Sequence, residues 1–362
     1  MAIYRAIDHL KNQYYFSQNN NDLQTHKFYH YTDLSSCLNI LKPHYFEIDS
    51  KKIYNVLWVS QFLYLNDEYE FREGFEVFLE LLKQKINEYP FEDEIKNNFK
   101  KFLALFDAQK QDSFLEIYFK ACEKSIKDDF DLIYPNYFIM SFCEDGNLLS
   151  QWKYYGKDSG IALEFDLKNC LFSGNNINCG DDVFSKPLIK SVEYDKEHQI
   201  NKIKTIIDEF IEKDKNKNEE TDLLYESKMF IMKVLVELAF MKNSGFREEK
   251  ESRLIFPLVY NGFSQKQEEA LKLIKYRESK GSIKPYLNIK VSSETLFPIK
   301  SITVGPGENQ IKVFHALISF VQSNYPYNAK LTDLTYNKDN DDFESVMVNG
   351  IIIRRSLIPF KA

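Results

Sequence analysis

Lys27-Phe-Tyr-His-Tyr-Thr32 runs directly into Asp33-Leu-Ser-Ser-Cys-Leu-Asn-Ile-Leu41, and this passage sets the pattern for the chain. The first six residues are rich in aromatics that suit a pleated surface, which predicts a short strand. Thr32 or Asp33 can cap a helix over Asp33 to Leu41, with Leu34, Cys37, Leu38 and Leu41 as its apolar stripe. Outward from this unit, strands are expected at Asn55 to Leu65, Tyr137 to Cys143, Gly160 to Asp166, Leu188 to Tyr194, Glu251 to Leu258, Pro285 to Val291 and Ser301 to Val304. Helical spacing intervenes at Phe75, Phe78, Leu82 and Ile86, at Phe99, Phe102, Leu103 and Phe106, and at Leu115, Tyr118, Phe119 and Cys122. Further helices are expected over Glu197 to Asp214, Thr221 to Met241, Gln265 to Tyr276 and Asn309 to Val321. Residues 171–182 read as a loop, and Val304-Gly-Pro-Gly307 as a strand-ending turn.

This is a β-rich α+β frame interrupted by helices, not a regular βαβ series. It predicts a polar N-terminal extension over 1–27 and a single α+β domain over 28–362, with helical insertions at about 73–128 and 197–241. Neither GxGxxG after a strand nor GxxxxGK[ST] occurs, which argues against a Rossmann or P-loop nucleotide site.

The net charge of −7 and pI of about 5.6 argue against a protein that wraps duplex nucleic acid, although the 47 Lys and Arg residues can still cluster into a local basic groove. The five Cys residues are scattered and contain no CxxC pair, which argues against a disulfide framework or zinc site and for reduced thiols in a cytoplasmic protein. No metal ligand set is expected. The start carries no apolar signal region, and no run of about 18 apolar residues exists to span a membrane.

Four polar constellations stand out. Tyr29-His30-Tyr31-Thr32 ends a strand; its histidine can donate to a ribose hydroxyl, or simply bond a backbone carbonyl. Ser60 lies on an apolar strand ahead of Asn66-Asp67-Glu68-Tyr69-Glu70, where Asn-Asp is first a turn and cap signal. Trp152 and Tyr155 stand in a polar segment before Gly160, as rim aromatics for a ligand or as a core plug. In the run from Lys242 to Phe256, period-two alternation puts Glu249, Glu251 and Arg253 on one strand face. Two carboxylates and a guanidinium there suit a site where positive charge develops on a sugar ring; a solvated edge strand guarded by charge is the plain alternative.

In this order the segments resemble the bacterial domain-of-unknown-function family 2971. Its members carry a YHYT-like strand, an N-D-P-x-E turn, a W-x-x-Y segment before a glycine-led strand, and an F-x-x-E-x-E-W-R strand. The counterparts are Tyr29 to Thr32, Asn66 to Glu70, Trp152 to Tyr155 with Gly160, and Phe246 to Arg253; Tyr276-Arg277 and Pro285-Tyr286 also fit. Glu68 replaces the proline and Ser252 the tryptophan. The order His, then Ser or Tyr, then Glu is more distantly similar to the signature of ADP-ribosyltransferase folds.

That similarity implies a split, mainly antiparallel β-sheet with NAD bound in its cleft as substrate. His30 would hold a ribose, Ser60 buttress the catalytic strand, Glu251 serve as catalytic carboxylate and Glu249 orient or deprotonate an acceptor. Tyr31 or Trp152 would stack on nicotinamide, and Tyr29, Thr32, Asn66, Tyr155 and Arg253 would complete the NAD-binding set. The acceptor (protein, nucleic acid or small molecule) is left open. In a stand-alone chain without a secretion signal, such an activity points inward, to a toxin or phage-defence role. Two other classes are kept beside it. Glu164-Phe-Asp-Leu-Lys168 with Asp158 has the acidic-x-Lys form of a magnesium-dependent nuclease. The absent tryptophan at Ser252 suits a nucleotide-binding or sensing module without catalysis.

Overall fold

The computed structural model describes residues 27–45, 53–65, 68–106, 136–155, 160–167, 170–174, 188–217, 223–258, 272–279, 281–293, 298–325 and 343–359. The aromatic run forms β1 (Phe28–Thr32). Asp33 then caps α1 (Leu34–Leu41), its Oδ1 accepting from the Ser36 amide at 2.7 Å. Two strands follow, β2 (His44–Tyr45) and β3 (Ile53–Gln61), then the helices α2 (Glu68–Glu88) and α3 (Asp93–Phe106). Next come β4 (Asn136–Cys143), α4 (Leu149–Tyr155), β5 (Ile161–Phe165), β6 (Cys170–Gly174) and β7 (Leu188–Ser191). The helices α5 (Lys196–Lys215) and α6 (Leu223–Leu238) lead through a 3-10 turn at Ser244–Glu249 into β8 (Glu251–Leu258). The chain continues with β9 (Lys275–Ser279), β10 (Ser282–Ser293), β11 (Ile299–Val304), α7 (Gln310–Asn324), β12 (Phe343–Val348) and β13 (Ile351–Ser356).

The strands form one open, mixed, mostly antiparallel sheet in the order β12-β13-β11-β5-β1-β4-β3-β10-β6. Off this path, β8 pairs with β4, β7 with β8, β9 with β10 and β2 with β3. β11 and β13 pair in parallel. The pivot is β4. β8 follows one of its edges from Asn136↔Leu258 to Cys143↔Glu251. The opposite edge is therefore shared: β3 takes Phe138 and Ile139, while β1 takes Cys143. Between those contacts the sheet forks.

Strand alternation sorts the core into two faces. Phe138, Met140 and Phe142 of β4 join Leu163, Leu287 and Ile302 in a cluster shared with Cys37 and Leu41 of α1 and Phe314 and Leu317 of α7. Tyr137 and Ile139 point the other way, into a phenylalanine-rich layer from α2, α3, α5 and α6 that includes Phe75, Phe78, Phe99, Phe102, Phe210 and Phe230. Each such side chain contributes about 1.5–3 kcal/mol on full burial, so the helical layer is part of the core rather than a loose lid. No described helix is long and apolar enough to cross a membrane.

Several expectations are corrected. Leu38 is exposed and Ile40 takes its place in the buried stripe of α1, because the inward arc is centred on Cys37 and Leu41. Tyr276 lies in β9, not in a helix. Part of the expected loop at 171–182 is strand, since Cys170–Gly174 pairs with Ser293–Ile289 of β10. The C-terminal hairpin β12–β13 was missed. Its turn is Asn349-Gly350, with φ of 48° and 86°, the left-handed pair that a two-residue hairpin loop requires. The third helical repeat, Leu115 to Cys122, lies outside the described residues.

Candidate functional site

One row of paired residues crosses the sheet: Ser301 opposite Glu164, Glu164 opposite Tyr29, Tyr29 opposite Cys143 and Cys143 opposite Glu251. Paired residues share a face, so two carboxylates, a phenol and a thiol stand on the side of the helical layer. Ser301 donates to Glu164 at 2.5 Å. Burial, and then the Glu164 charge, push the Tyr29 phenol up to about 12 against the pull of Arg354.

Glu251, at one end of this row, is closed in. Its Oε1 accepts from Arg253 Nε at 2.7 Å, and its Oε2 accepts from Arg253 Nη2 at 3.2 Å and Lys242 Nζ at 3.0 Å. Arg253 Nη1 donates to the Ala239 carbonyl, and the Glu251 amide donates to the Tyr194 hydroxyl, both at 2.8 Å. Burial alone would raise this carboxyl; Arg253, then Lys242, outweigh it with the help of the Ser141 hydroxyl, and pull it down to about 2. The strand is no solvated edge: Glu251, Ser252 and Arg253 are all buried between β4 and β7. Glu249 departs from its expected place, because Lys250 adopts φ 42° and the strand begins only at Glu251. Glu249 joins the cluster from the preceding turn, accepting from Lys242 at 2.7 Å.

Beside it lies an aromatic layer. Tyr31 packs edge-on against Trp152 at 4.7 Å and stacks with Tyr155 at 6.5 Å. The Tyr31 hydroxyl donates to the Asp145 carbonyl and accepts from the Leu148 amide. Trp152 is buried, donates to Asn147 Oδ1 at 3.0 Å, and lies so close to Gly305 that a Cβ there would come within 2.5 Å of its ring. Trp152 is therefore a core plug. Thr32 is buried at the end of β1, opposite Ile161.

His30 alternates to the opposite face, where its ring meets Phe142 at 6.0 Å. Its Nδ1 lies 3.0 Å from the Ser141 carbonyl oxygen, a group that the fork leaves between the β1 and β3 contacts. A carbonyl only accepts, so Nδ1 carries the proton and Nε2 is left as an acceptor. Burial lowers the His30 pKa, more than the Ser141 hydrogen bond raises it, and Arg277 lowers it further. On the other prong Ser60 accepts from Arg277 Nη2 at 3.2 Å. The Arg277 guanidinium rests over Trp58 at 5.2 Å and Tyr286 at 5.6 Å, and its Nε is buried with no partner among the described residues.

The expected residues thus fall into two groups. Glu249, Glu251 and Arg253 meet beside Tyr29, Tyr31, Trp152 and Tyr155; His30 and Ser60 sit at the fork. Ser141 joins them, through its carbonyl to His30 and its hydroxyl to Glu251. Asn66, Asp158 and Lys168 lie outside the described residues. Trp58 and Ser141 carry no sequence signal of their own, and Arg277 and Lys242 stand in segments named from the sequence without a role assigned to them. Arg277 and Ser60 are 217 positions apart, a separation at which no spacing rule operates.

Fold and site together define an α+β protein with a polar forked sheet. Residues 151–254 match the model of a family described as protein of unknown function (DUF2971). The matched stretch holds Trp152, Tyr155, Glu249, Glu251 and Arg253 but neither His30 nor Ser60. No curated protein and no solved structure matches the chain.

Proposed function

We propose that the protein binds an NAD-type dinucleotide at the fork and uses it for ADP-ribosyl transfer. The observation that carries this reading is the position of Ser141: the His30 imidazole reaches its carbonyl from one face of the sheet, and the Glu251 carboxylate accepts from its hydroxyl on the other. Ser60 stands on the neighbouring prong, opposite Ile139. In such a transfer the bond from ribose to nicotinamide breaks with its electron pair leaving on nicotinamide, positive charge builds on the ribose, and the acceptor's nucleophile bonds to the same ribose carbon as it gives up its proton. An ionised carboxylate stabilises that charge, and the pairing of Glu251 keeps it ionised down to low pH. His30 Nε2 suits a ribose hydroxyl donor, and Glu249, paired with Lys242, would be the carboxylate that activates an acceptor.

A second reading has its own observation. Both Glu251 oxygens are already engaged by buried cations, so its charge is largely compensated. That favours a module that binds the dinucleotide without turnover. Calorimetric titration with NAD+ and chromatographic detection of released nicotinamide separate the two. Transfer predicts binding and release, with Glu251→Gln cutting release about 100-fold while affinity holds. Binding without release supports the second reading. Absence of binding by a folded protein overturns both.

A further inference from the structure

The far quarter of the sheet differs from the rest of the chain in charge. β2, β3, β6, β9 and β10 carry Lys275, Arg277, Lys284 and Lys290 against one acid, Glu278, in a protein of net charge −7. Glu278 is tied to the turn, accepting from the Gly281 amide at 2.8 Å. Aromatic rings interleave with the cations. Tyr54 stacks on His44 at 5.3 Å with Lys290 4.9 Å from its centroid. Four residues along β3, Trp58 lies against Tyr286 at 5.3 Å with Arg277 above both. Tyr54, Trp58, Tyr286 and Lys290 alternate with the buried Leu57, Val59, Leu287 and Ile289, so they share the face away from the α1 and α7 core. All four are half-buried rather than packed away.

We infer that this face binds single-stranded nucleic acid. The two ring-and-cation pairs, Tyr54 with Lys290 and Trp58 with Arg277, are about 13 Å apart along an extended strand. One mononucleotide cannot engage both; a polymer that repeats a flat base and a negative charge can. Asn288 Oδ1, buried on this face without a partner among the described residues, offers an acceptor to a base amino group, and Arg277 Nε offers a donor to phosphate. A duplex hides its base faces and would leave the rings unused. This inference does not depend on NAD chemistry.

The test is fluorescence anisotropy with labelled 12-mers: a mixed-sequence single strand, its duplex, and an abasic strand of equal charge. The single strand is expected to bind at least tenfold more tightly than either control, with affinity falling as salt rises at a log–log slope of about −2 to −3. Lys275→Glu combined with Lys290→Glu should weaken binding at least tenfold while the circular dichroism stays that of wild type. Tyr54→Ala should weaken it roughly tenfold without changing the salt slope. Equal binding of the abasic strand would reassign the face to a general polyanion or acidic partner and overturn the inference. So would equal binding of the duplex, or charge-reversed protein that binds as wild type does.

Discussion

Two polar regions meet at Ser141 and are built on opposite principles. The cluster of Glu249, Glu251, Arg253 and Lys242 is closed: carboxylate oxygens find cations, and the guanidinium finds a backbone carbonyl. The fork is open: His30 uses one ring nitrogen for the protein, and Arg277 holds a buried Nε with no partner among the described residues. Closed networks lose stability when broken, because a buried charge is left uncompensated. Open ones lose little stability and should instead lose ligand. The contrast separates the residue that a strand motif makes most conspicuous from the residues free to meet a substrate.

Breaking the closed cluster should have the largest effect. Arg253→Leu leaves the buried Glu251 with Lys242 as its one cation among the described residues and is expected to cost about 3–5 kcal/mol in urea unfolding. Acid should act on the same group. A folded-state pKa of about 2, against 4.5 for the ordinary carboxyl, is stability present above pH 4.5 and lost as pH falls towards 2. Its magnitude is on the order of 3 kcal/mol, read from unfolding free energies across that window and absent in Glu251→Gln. Gly305→Ala should cost about 1–3 kcal/mol by driving a methyl into Trp152, measured as a fall in Tm. At the open end, His30→Gln should change stability by about 1 kcal/mol or less while weakening NAD+ about tenfold by calorimetry. If His30→Gln destabilised as much as Arg253→Leu, the distinction between the regions would fail.

The contrast also explains what could be read in the sequence. Phe75, Phe78, Leu82 and Ile86 were legible as one helix face because helical periodicity is local, and all four are buried. The strand Glu251–Leu258 was legible from its apolar run. Glu249 was misplaced because alternation was extended one step too far, past Lys250, whose left-handed backbone breaks the pleat. The hairpin at Asn349-Gly350 has a local signal in its Asn-Gly pair, whose left-handed backbone suits a two-residue turn. The fork had no local signal, since it depends on two strands sharing one edge of a third. The clustering of Arg277 with Trp58, Ser60 and Tyr286 likewise exists only once β3, β9 and β10 pair.

The central claim is that the open fork, through His30, is where a ligand meets this protein. Nitrogen-15 NMR of imidazole-labelled protein tests it, with His30 resonances identified by their loss in His30→Gln. The account predicts a neutral ring protonated on Nδ1 at pH 6.5, with an Nε2 resonance that shifts saturably as NAD+ is added. A charged imidazolium at that pH, or an Nε2 resonance indifferent to saturating NAD+, would contradict it.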